Sequence, residues 1–502
     1  MTSHQALRHR EAFWRGARGL LAGAGLLLSC CTVGPDFHRP DAPAVDRYTK
    51  QPLPPKTASA DVAGGEAQTF VQDQDIPHQW WARFQSPALD ALVGRALKAS
   101  PNLAAANAAL RQAEELVLAQ EGYYYPSVGV GFSPSYQKSS ATLSPPLNTS
   151  SLRYGLFSAQ VNVAYAPDVF GGNRRQVESL QAQVEATRFQ REAAYVTLTT
   201  NVVAAAVQDA SLRAQIAAQR EIVAIDTKSL ELLRRQLAAG AVTGLDVAGQ
   251  EAALAQAQQA LPPLEKQLEQ NRHLMMALAG GFASEAEELK FDLAMLHLPS
   301  DLPVSLPSKL VEQRPDVRAA EAQLHAASAL VGVAVAKRLP QFTIGGGYGG
   351  LSTHIGRMFD AGNTFWSIVG SVTQSVFDGG TQLHQQRAAE AALEQAGAQY
   401  RSTVIAGFQN VADTLVALGA DAENLRAAVA SERAAKATLD ITVRQQQLGQ
   451  VNYLVLLSSQ QAYQQALVSR AQAQAARLVD TAALFQALGG GWWNRPMESS
   501  GN

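Results

Sequence analysis

The second half of the sequence repeats the first, and this internal repeat constrains the fold more than any other feature. The segment ASPNLAAANAALRQAEELVLAQEGYYYPSVGVGF aligns with EQRPDVRAAEAQLHAASALVGVAVAKRLPQFTIGGG further along the chain. Pro101 aligns with Pro315, and Pro126 aligns with Pro340 at the same offset. The segments MMALAGG and FQALGGG close the two copies in the same order. A tandem duplication of about 200 residues therefore builds one structural unit twice.

The repeat sets the expected division of the chain. We expect a signal region at 1–30, a Pro-rich linker at 31–75, a first repeat at 76–290, a second repeat at 291–491 and a tail at 492–502. Because Pro-rich stretches behave as extended spacers, the linker is expected to connect an anchored N-terminus to the rest of the protein.

Each repeat is expected to contain one very long helix, at ~172–238 and at ~380–448. Apolar residues recur along both segments at spacings of three and four, which is the period of an amphipathic helix. At 1.5 Å per residue, each helix would be roughly 100 Å long and would have to pack against helices of similar length. Pro262 and Pro263 are expected to break or kink the helix that returns in the first repeat.

Between the helices, each repeat carries two segments with a period of two. Strands are expected at ~126–139, ~153–170, ~340–352 and ~363–378, where large apolar residues alternate with small or polar ones. A half-buried soluble sheet would show the same alternation. The neighbouring helices are expected to pack on each other, however, which leaves no layer to cover the apolar face. The pattern therefore favours strands that form part of a membrane wall.

The four expected strands are too few to close a barrel by themselves. An open sheet edge in lipid would leave backbone groups unpaired, so several copies of the chain would have to share one barrel. Two copies would give eight strands and an interior filled by side chains, whereas three copies would give twelve strands and an open lumen. The strand pattern alone leaves both possibilities open.

The N-terminus resembles the export signal of a bacterial lipoprotein. Several arginines precede the apolar run GLLAGAGLLLS, and LLLSCC places a cysteine after a small residue. The run is too short to span a membrane, and no later uninterrupted apolar run reaches the ~20 residues of a spanning helix. Cys30 fits the lipidation pattern best, Cys31 is the alternative, and an ordinary signal peptide is the remaining interpretation. Neither cysteine is followed by Asp, which by analogy with lipoprotein sorting indicates the outer membrane.

The composition and motifs argue against nucleic-acid binding and against an enzyme. The formal net charge is -2, which provides no basic field for nucleic acid. Gly345, Gly347 and Gly350 match G-x-G-x-x-G, but another strand is expected after them where a dinucleotide site needs a helix. The nine histidines form no i,i+4 pair, so no metal site is expected. No cofactor is expected apart from a covalent lipid on the N-terminal cysteine.

Several longer motifs point to a known family. CTVGPDF, WWARFQSPALDALVGRAL, RPDVRAAE, the VF(D)GG segments and the closing ALGGGW resemble the outer membrane factor family, that is, the TolC/OprM-like channels and in particular the NodT-type efflux lipoproteins. The resemblance implies an α+β membrane protein whose duplicated unit gives a trimeric twelve-stranded β-barrel, continued by a long α-helical coiled-coil tunnel. It implies a homotrimer in outer-membrane lipid that docks on a periplasmic adaptor (membrane fusion) protein and an inner-membrane RND pump, as a passive exit for drugs or other small solutes.

The same resemblance assigns the turns after the long helices to the periplasmic tip. The residues expected to contact the adaptor are Gly240, Val242, Thr243, Gly449 and Val451.

The gate residues expected at this tip are Leu454, Ser458, Asp246 and Tyr453. Leu454 matches the constricting leucine of relatives and is expected to form the narrowest, apolar ring, with ordinary helix packing as the alternative interpretation. The acidic position of relatives falls at Ser458, so this chain departs from the family pattern and any dependence on cations is expected to be weak. Asp246 is the nearest remaining acid.

Two other functions remain open from the sequence. The same duct could serve type I (ABC-driven) protein secretion, or the chain could be a lipid-anchored coiled-coil envelope scaffold without a pore. The strand alternation argues against a scaffold. A wide passive duct selects by size more than by chemistry, so the residues do not specify a substrate.

Overall fold

The computed structural model describes residues 32–138, 153–285 and 289–496. Cys30 and Cys31 therefore lie outside the described residues. In chain order the strands and helices are β1 (Thr69–Gln72), α1 (Pro87–Ala99), α2 (Pro101–Glu121), β2 (Ser127–Lys138), β3 (Arg153–Tyr165), α3 (Gly172–Ala238), α4 (Gly244–Leu278), β4 (Asp301–Val304), α5 (Pro307–Gln313), α6 (Pro315–Lys337), β5 (Gln341–Ser352), β6 (Thr364–Thr373), α7 (Thr381–Gln447) and α8 (Tyr453–Ala487).

The long helical hairpins of the two repeats have the same element lengths. The long helices α3 and α7 each contain 67 residues, and the returning helices α4 and α8 each contain 35. Each repeat thus contributes one β-hairpin and one long helical hairpin, in the order that the sequence repeat predicts.

The chain divides into two compact units. One, here called the sheet unit, consists of Met1–Arg39, Leu110–Ala186 and Ala320–Tyr400. The other, here called the helical unit, consists of Pro40–Ala109, Thr187–Ala319 and Arg401–Asn502.

The sheet unit contains one antiparallel sheet of four strands in the order β2-β3-β5-β6. The two repeats meet where β3 pairs with β5, and β2 and β6 form the edges. All four strands join helices at one end of the sheet, here called the helical end. The opposite end, where the chain turns between β2 and β3 and between β5 and β6, is called the loop end.

The outgoing strands end earlier than their alternation suggests, because helix caps follow them. β3 ends at Tyr165, and the two carboxylate oxygens of Asp168 each accept a hydrogen bond from a backbone N–H in the first turn of α3, both at 2.9 Å. β6 ends at Thr373, and Asp378 caps α7 in the same way at 2.9 and 3.0 Å. Among the residues expected to extend these strands, Asp168 and Asp378 therefore cap the helices that follow.

The main core of the helical unit forms around an aromatic stack. Trp80, from the WWARF segment, stacks on Phe485 of α8 with ring centroids 5.3 Å apart, and both side chains are fully buried. A short parallel pair, β1 with β4, lies in the same unit, with Thr69 opposite Asp301.

Of the break or kink expected at Pro262 and Pro263, the structure excludes the break. α4 continues through Pro262 and Pro263 without a break. Both prolines are exposed, so water can solvate the backbone carbonyls that lose their helical partners.

Part of the expected linker is packed rather than extended. The fully buried guanidinium of Arg477 donates hydrogen bonds to the hydroxyl of Thr57 and to the carbonyls of Ala58, Gly64 and Glu66 at 2.6–3.4 Å. Because one arginine satisfies so many groups, it fixes this segment against α8.

Two helices pass a test for membrane spans that uses length and composition only. They are α6, with a mean hydropathy of 1.3 over its most apolar window, and α7, with 1.2. The window in α6 is 56% buried, as expected for a packing helix. α7 has 67 residues, about three times the length that a bilayer requires.

Candidate functional site

One face of the sheet is apolar across all four strands. Val130, Val161, Tyr348 and Trp366 lie directly opposite one another in successive strand pairs. Their exposed fractions are 84, 40, 55 and 73%. Other exposed members of this face are Val128, Phe132, Tyr136, Val163, Ile344, Ile368 and Val372. Such a continuous uncovered apolar surface on the described chain fits contact with lipid or with another protein.

The opposite face of the same sheet is small and polar along its central row, although Leu351, Phe365 and Val369 also lie on it. Its central row consists of Gly129, Asn162, Gly347 and Ser367. At Gly349 an added Cβ would lie 2.6 Å from the carbonyl oxygen of Ala159, so no side chain fits there. The G-x-G-x-x-G pattern therefore lies within β5, with Gly345 and Gly347 on the polar face and Gly350 on the apolar face.

The length of β2 matches the thickness of a membrane. Tyr125 and Tyr136 are 73 and 76% exposed and stand near the two ends of the strand. They are separated by 11 positions, or about 37 Å along a strand, which is about 28 Å of vertical height at a tilt of about 40°. This height agrees with a hydrocarbon band, and Tyr136, which lies on the apolar face, is placed as an aromatic girdle residue would be at the loop end.

The two edge strands leave backbone groups available for pairing. Within the described chain, β2 pairs only with β3, and β6 pairs only with β5. In a four-stranded antiparallel sheet the first and last strands run in opposite directions. A second copy could therefore join this sheet by an antiparallel pairing of β6 with β2.

The residues that follow the candidate lipidation site are fixed at the helical end of the sheet. The N–H of Val33 donates to the carbonyl of Phe170 at 3.2 Å. Arg175 donates to the carbonyls of Val33 and Gly34 at 3.2 and 3.4 Å, and to a carboxylate oxygen of Asp36 at 2.7 Å. The hydrogen bond and charge of Arg175 lower the pKa of Asp36. The chain that follows the two candidate cysteines is therefore held beside the start of α3 from Val33 onward.

The turns at the tips of the two helical hairpins have the same geometry. Gly240 and Gly449 follow the long helices with φ of +72° and +70°. In each turn the N–H of the next residue donates to the carbonyl five positions earlier, at 2.8 and 2.9 Å. Only glycine adopts this left-handed conformation without strain, so both positions are helix C-caps.

Asp246 is engaged in capping α4. The N–H and the hydroxyl of Thr243 donate to the carboxylate of Asp246 at 2.9 and 2.7 Å, and the N–H of Asp246 donates back to the hydroxyl at 3.4 Å. These hydrogen bonds lower the pKa of Asp246. Its carboxylate therefore stays charged and is held by the cap.

The remaining tip residues lie on the surface or at its edge. Leu454 is 55% exposed at the start of α8. Ser458 is exposed, and its hydroxyl donates to the carbonyl of Val455 at 2.9 Å. Val242 and Val451 are half-buried. Leu454 is exposed, and the hydroxyl of the nearby Ser458 is already hydrogen-bonded within its own helix. Both observations are compatible with an apolar ring formed by Leu454.

Tyr453 is buried and joins the two helical hairpins. It packs with Leu230 and Val247 from the first repeat in one apolar cluster. Its hydroxyl donates to Oε1 of Gln250, whose Nε2 donates to the backbone carbonyl of Asp226 at 3.0 Å. All three polar residues are more than 90% buried. Of the expected gate residues, Tyr453 is thus buried within one copy of the chain, where it connects the two helical hairpins.

Sequence reasoning missed Gln250 and Asp226. Burial raises the pKa of Asp226, and one of its carboxylate oxygens has no hydrogen-bond partner among the described residues. A signal was available, because Asp226 falls four positions after Ile222 and four before Leu230, both of which are buried. An acid in the apolar stripe of a helix indicates a buried polar contact.

Comparison with known proteins places these features in a family. The model of the outer membrane efflux protein family matches residues 92–281 and 306–490, one match in each repeat. The chain belongs to this family. The pyoverdine export outer membrane protein OpmQ of Pseudomonas putida is 30% identical over 452 residues, which cover 88% of this chain and 94% of that protein.

Further relatives and solved structures extend the comparison. The outer membrane protein OprJ of Pseudomonas aeruginosa is 27% identical over 93% of this chain and 94% of its own length. The probable outer membrane lipoprotein SilC of Salmonella typhimurium is 24% identical over 93% of this chain and 97% of its own length. The outer-membrane channel OprN superposes with a TM-score of 0.81 at 27% identity, covering 92% of this chain and all of that chain. The CmeC outer membrane channel of Campylobacter jejuni has the same fold, with a TM-score of 0.81 at 20% identity over 92% of this chain and 95% of that chain.

These findings establish what the protein does in outline. It is an outer membrane protein that serves as the channel of an efflux pump, and the family is one of transport ducts rather than enzymes. Among the described residues, no group of three or more His, Cys, Asp or Glu side chains could hold a metal ion.

Proposed function

We propose that three copies of this chain assemble into a twelve-stranded barrel continued by an α-helical tunnel, forming the passive exit duct of a tripartite efflux pump. The observation that carries this proposal is the four-stranded sheet, whose apolar face is uncovered and whose edges β2 and β6 are unpaired in the described chain. In lipid, such edges are tolerated only if the sheet closes on itself. Three copies supply twelve strands, which leave an open lumen, whereas eight would fill it.

The internal repeat supports the contact between copies. In the first repeat Phe170, which follows β3, contacts Phe342 of β5 with ring centroids 6.3 Å apart. Phe377 occupies the matching place after β6 and is 91% exposed. By the symmetry of the repeat, its partner is the counterpart of Phe342, which is Val128 on β2, 68% exposed. We therefore expect Phe377 to pack on β2 of the next copy.

The same symmetry predicts the register between copies. Ala159 of β3 lies opposite Gly350 of β5. Ser127 pairs with Ala164 in the first hairpin as Gln341 pairs with Thr373 in the second, and this pairing sets the correspondence of the strands. The counterparts of Ala159 and Gly350 are then Ile368 on β6 and Tyr136 on β2, both 76% exposed. If copies pair as the repeats do, Ile368 of one copy lies opposite Tyr136 of the next.

Thiol crosslinking tests this register. Ile368→Cys and Tyr136→Cys are combined in one chain, the free member of the Cys30–Cys31 pair is replaced by Ser, and a short bis-maleimide is added. We expect a covalent trimer on a denaturing gel, because directly opposite positions lie about 4.5–5.5 Å apart at Cβ.

The matched control for this experiment is an opposed pair within one copy. Val161 and Tyr348 face each other between β3 and β5. In the variant Val161→Cys/Tyr348→Cys, the bis-maleimide should crosslink the two thiols within one chain, and no species larger than a monomer should appear on the denaturing gel. Crosslinks confined to one copy in both variants would rule out the shared barrel.

The lipid anchor forms part of the proposal. We propose that Cys30, or alternatively Cys31, carries a diacylglycerol on its sulfur and an acyl chain on its α-amino group, and that the protein needs no other cofactor. Support comes from the fixed segment that begins at Val33 beside the sheet. Metabolic labelling with radioactive palmitate should be lost in only one of Cys30→Ala and Cys31→Ala. Retention of label in both would refute a unique lipidated cysteine.

The partners and the gate complete the proposal. The duct meets a periplasmic adaptor and an inner-membrane RND pump, and it passes drugs or other small solutes. Adaptor contacts involve both glycine turns, with Val242, Thr243 and Val451. The exposed Leu454 forms the narrowest ring when the tips are closed, and Ser458 leaves that ring without a strong cation site.

Single-channel recording in planar bilayers tests the gate. Leu454→Ser should raise the conductance of the closed tip, because a smaller polar side chain widens and wets the ring. Leu448→Ser is the control, since Leu448 is 72% exposed and ends the other side of the same turn. Equal conductance in wild type and Leu454→Ser would remove Leu454 from the gate.

A further inference from the structure

The loop end of the sheet carries two cations that face each other. Lys138 of β2 lies directly opposite Arg153 of β3, and both side chains are exposed. They share the apolar face with Val130 and Val161, because side chains an even number of positions apart point the same way. Like charges at directly opposite positions destabilise an antiparallel pair. This arrangement therefore favours an anion bound against both side chains.

The surrounding chain offers almost no carboxylate for that role. The segment 139–152, whose placement is outside the described residues, contains neither Asp nor Glu in its sequence. β6, which the proposed trimer places beside β2, contains none either. The turn between β5 and β6 has one acid, Asp360, against the basic residues His354 and Arg357. The loop end of the sheet is consequently cationic.

The position of this pair along the strand corresponds to lipid headgroups. On the apolar face of β2, Val130 and Phe132 are followed by Tyr136 and then by Lys138. Lys138 stands about 7 Å beyond the aromatic side chain along the strand. In membrane barrels an apolar band ends in an aromatic girdle, and the phosphate groups of the leaflet follow.

The neighbouring turn extends the lipid-facing surface at the same end. The turn folds over the apolar face, since an added Cβ at Gly350 would lie 2.2 Å from the carbonyl oxygen of Met358. Hydrogen bonds within the turn fix its shape, including the side chain of Asn363 donating to the carbonyl of Arg357 at 2.7 Å. Phe359, next to the buried Met358, is 59% exposed. Apolar contact with acyl chains is therefore available beside the cations.

We propose that Lys138 and Arg153 together bind the phosphate group of an anionic lipid in the outer leaflet. The ammonium provides three donors and the guanidinium a planar fork that matches two phosphate oxygens. The site takes a lipid rather than free phosphate because both cations border an uncovered apolar face. This inference rests on the proposed membrane barrel.

Native mass spectrometry of the full-length lipidated protein tests the site. The probe is diphosphoryl lipid A added to the detergent-solubilised protein, with zwitterionic phosphatidylcholine and inorganic phosphate as separate arms. Wild type should bind lipid A, and the double variant Lys138→Gln/Arg153→Gln should lose about tenfold in affinity per cation removed. Neither inorganic phosphate nor phosphatidylcholine should bind with comparable affinity. Equal binding of inorganic phosphate would assign the site to the free anion and overturn the lipid.

A charge-matched control removes two cations elsewhere. Lys228→Gln/Lys266→Gln takes away exposed lysines on α3 and α4 and should leave lipid A binding unchanged. The same loss in this control as in the double variant would attribute binding to net charge and overturn the proposal.

A charge reversal separates lipid binding from strand pairing. Arg153→Glu sets a carboxylate opposite Lys138, which should keep or raise the melting temperature while lipid A affinity falls. If affinity is retained, the pair is not a phosphate site.

Asp360→Asn should leave trimer stability unchanged. Lys138→Gln/Arg153→Gln should likewise leave it unchanged. If both variants destabilise the trimer equally, the cations pair with Asp360 of another copy, and the proposal fails.

The same spectra report the oligomeric state, so the two proposals fail in different ways. A trimer that binds lipid A equally well with and without the two cations refutes only the lipid site. A chain that stays monomeric in wild type refutes the barrel on which the site depends.

Discussion

Removal of one hydroxyl at the tip should loosen the contact between the two helical hairpins. In Tyr453→Phe the ring keeps its place among the apolar residues that surround it. Oε1 of Gln250, however, loses the hydroxyl that donates to it. Gln250 is fully buried, so no water replaces that donor.

The size of this effect follows from the cost of a buried acceptor without a donor. That cost is about 1–3 kcal/mol. The hydrogen bond links α4 of the first repeat to α8 of the second, and Leu454 directly follows Tyr453 on α8. If the bond forms only in the closed tip, the open-to-closed ratio rises by the same free energy, about 5- to 150-fold.

Single-channel recording measures this ratio as the fraction of time spent in the open state. The control is Tyr463→Phe on the same helix, because Tyr463 is only half-buried and its ring lies under Lys436, with 5.6 Å from Nζ to the ring centroid. We expect a higher open fraction and a lower urea midpoint for Tyr453→Phe, with wild-type behaviour for Tyr463→Phe. If both variants behave as wild type, the network does not hold the tip.

Three further changes test other parts of the molecule. Burial and the neighbouring carboxylate of Asp480 raise the pKa of Asp421 to about 7, so the folded state retains a proton that the unfolded chain releases near its usual pKa of 3.8. The free energy of unfolding should therefore fall as pH rises from about 4 to about 7 and then level off. Urea midpoints measured against pH should show this decline in wild type and a flatter profile in Asp421→Asn. The same profile in both proteins would contradict the prediction. Arg477→Leu should lower the free energy of unfolding by about 3 kcal/mol or more, because the hydrogen bonds to residues 57–66 are lost. Arg477→Lys should not restore the urea midpoint. Gly349→Ala should reduce the yield of membrane-inserted protein, whereas Gly345→Ala, whose added Cβ approaches no atom closer than 3.9 Å, should not; equal yields would show that the wall is not tightly packed there.

The repeat and the two periodicities were sufficient to predict the main elements. Alternation along β2 and β3 assigned residues such as Val130 and Val161 to one face, and the structure places them opposite each other. The glycine turns followed from the pairing of Gly240 with Gly449, because both end a long helix with positive φ.

What the sequence could not provide depends on contacts between distant segments. The prolines between residues 32 and 55 suggest an extended spacer, yet Arg175 and Arg477 bind the neighbouring backbone through hydrogen bonds that no local pattern predicts. Tyr453 looks like a tip residue beside Leu454, but its buried hydroxyl bonds Gln250, a residue 203 positions away in the chain.

The most direct test of the account is the number of chains in the detergent-solubilised particle, measured by native mass spectrometry and followed by conductance in a planar bilayer. We predict three acylated chains that together form one pore, because only a shared barrel pairs both sheet edges in lipid. A single-chain particle, or a trimer in which neither wild type nor Leu454→Ser conducts, would contradict it.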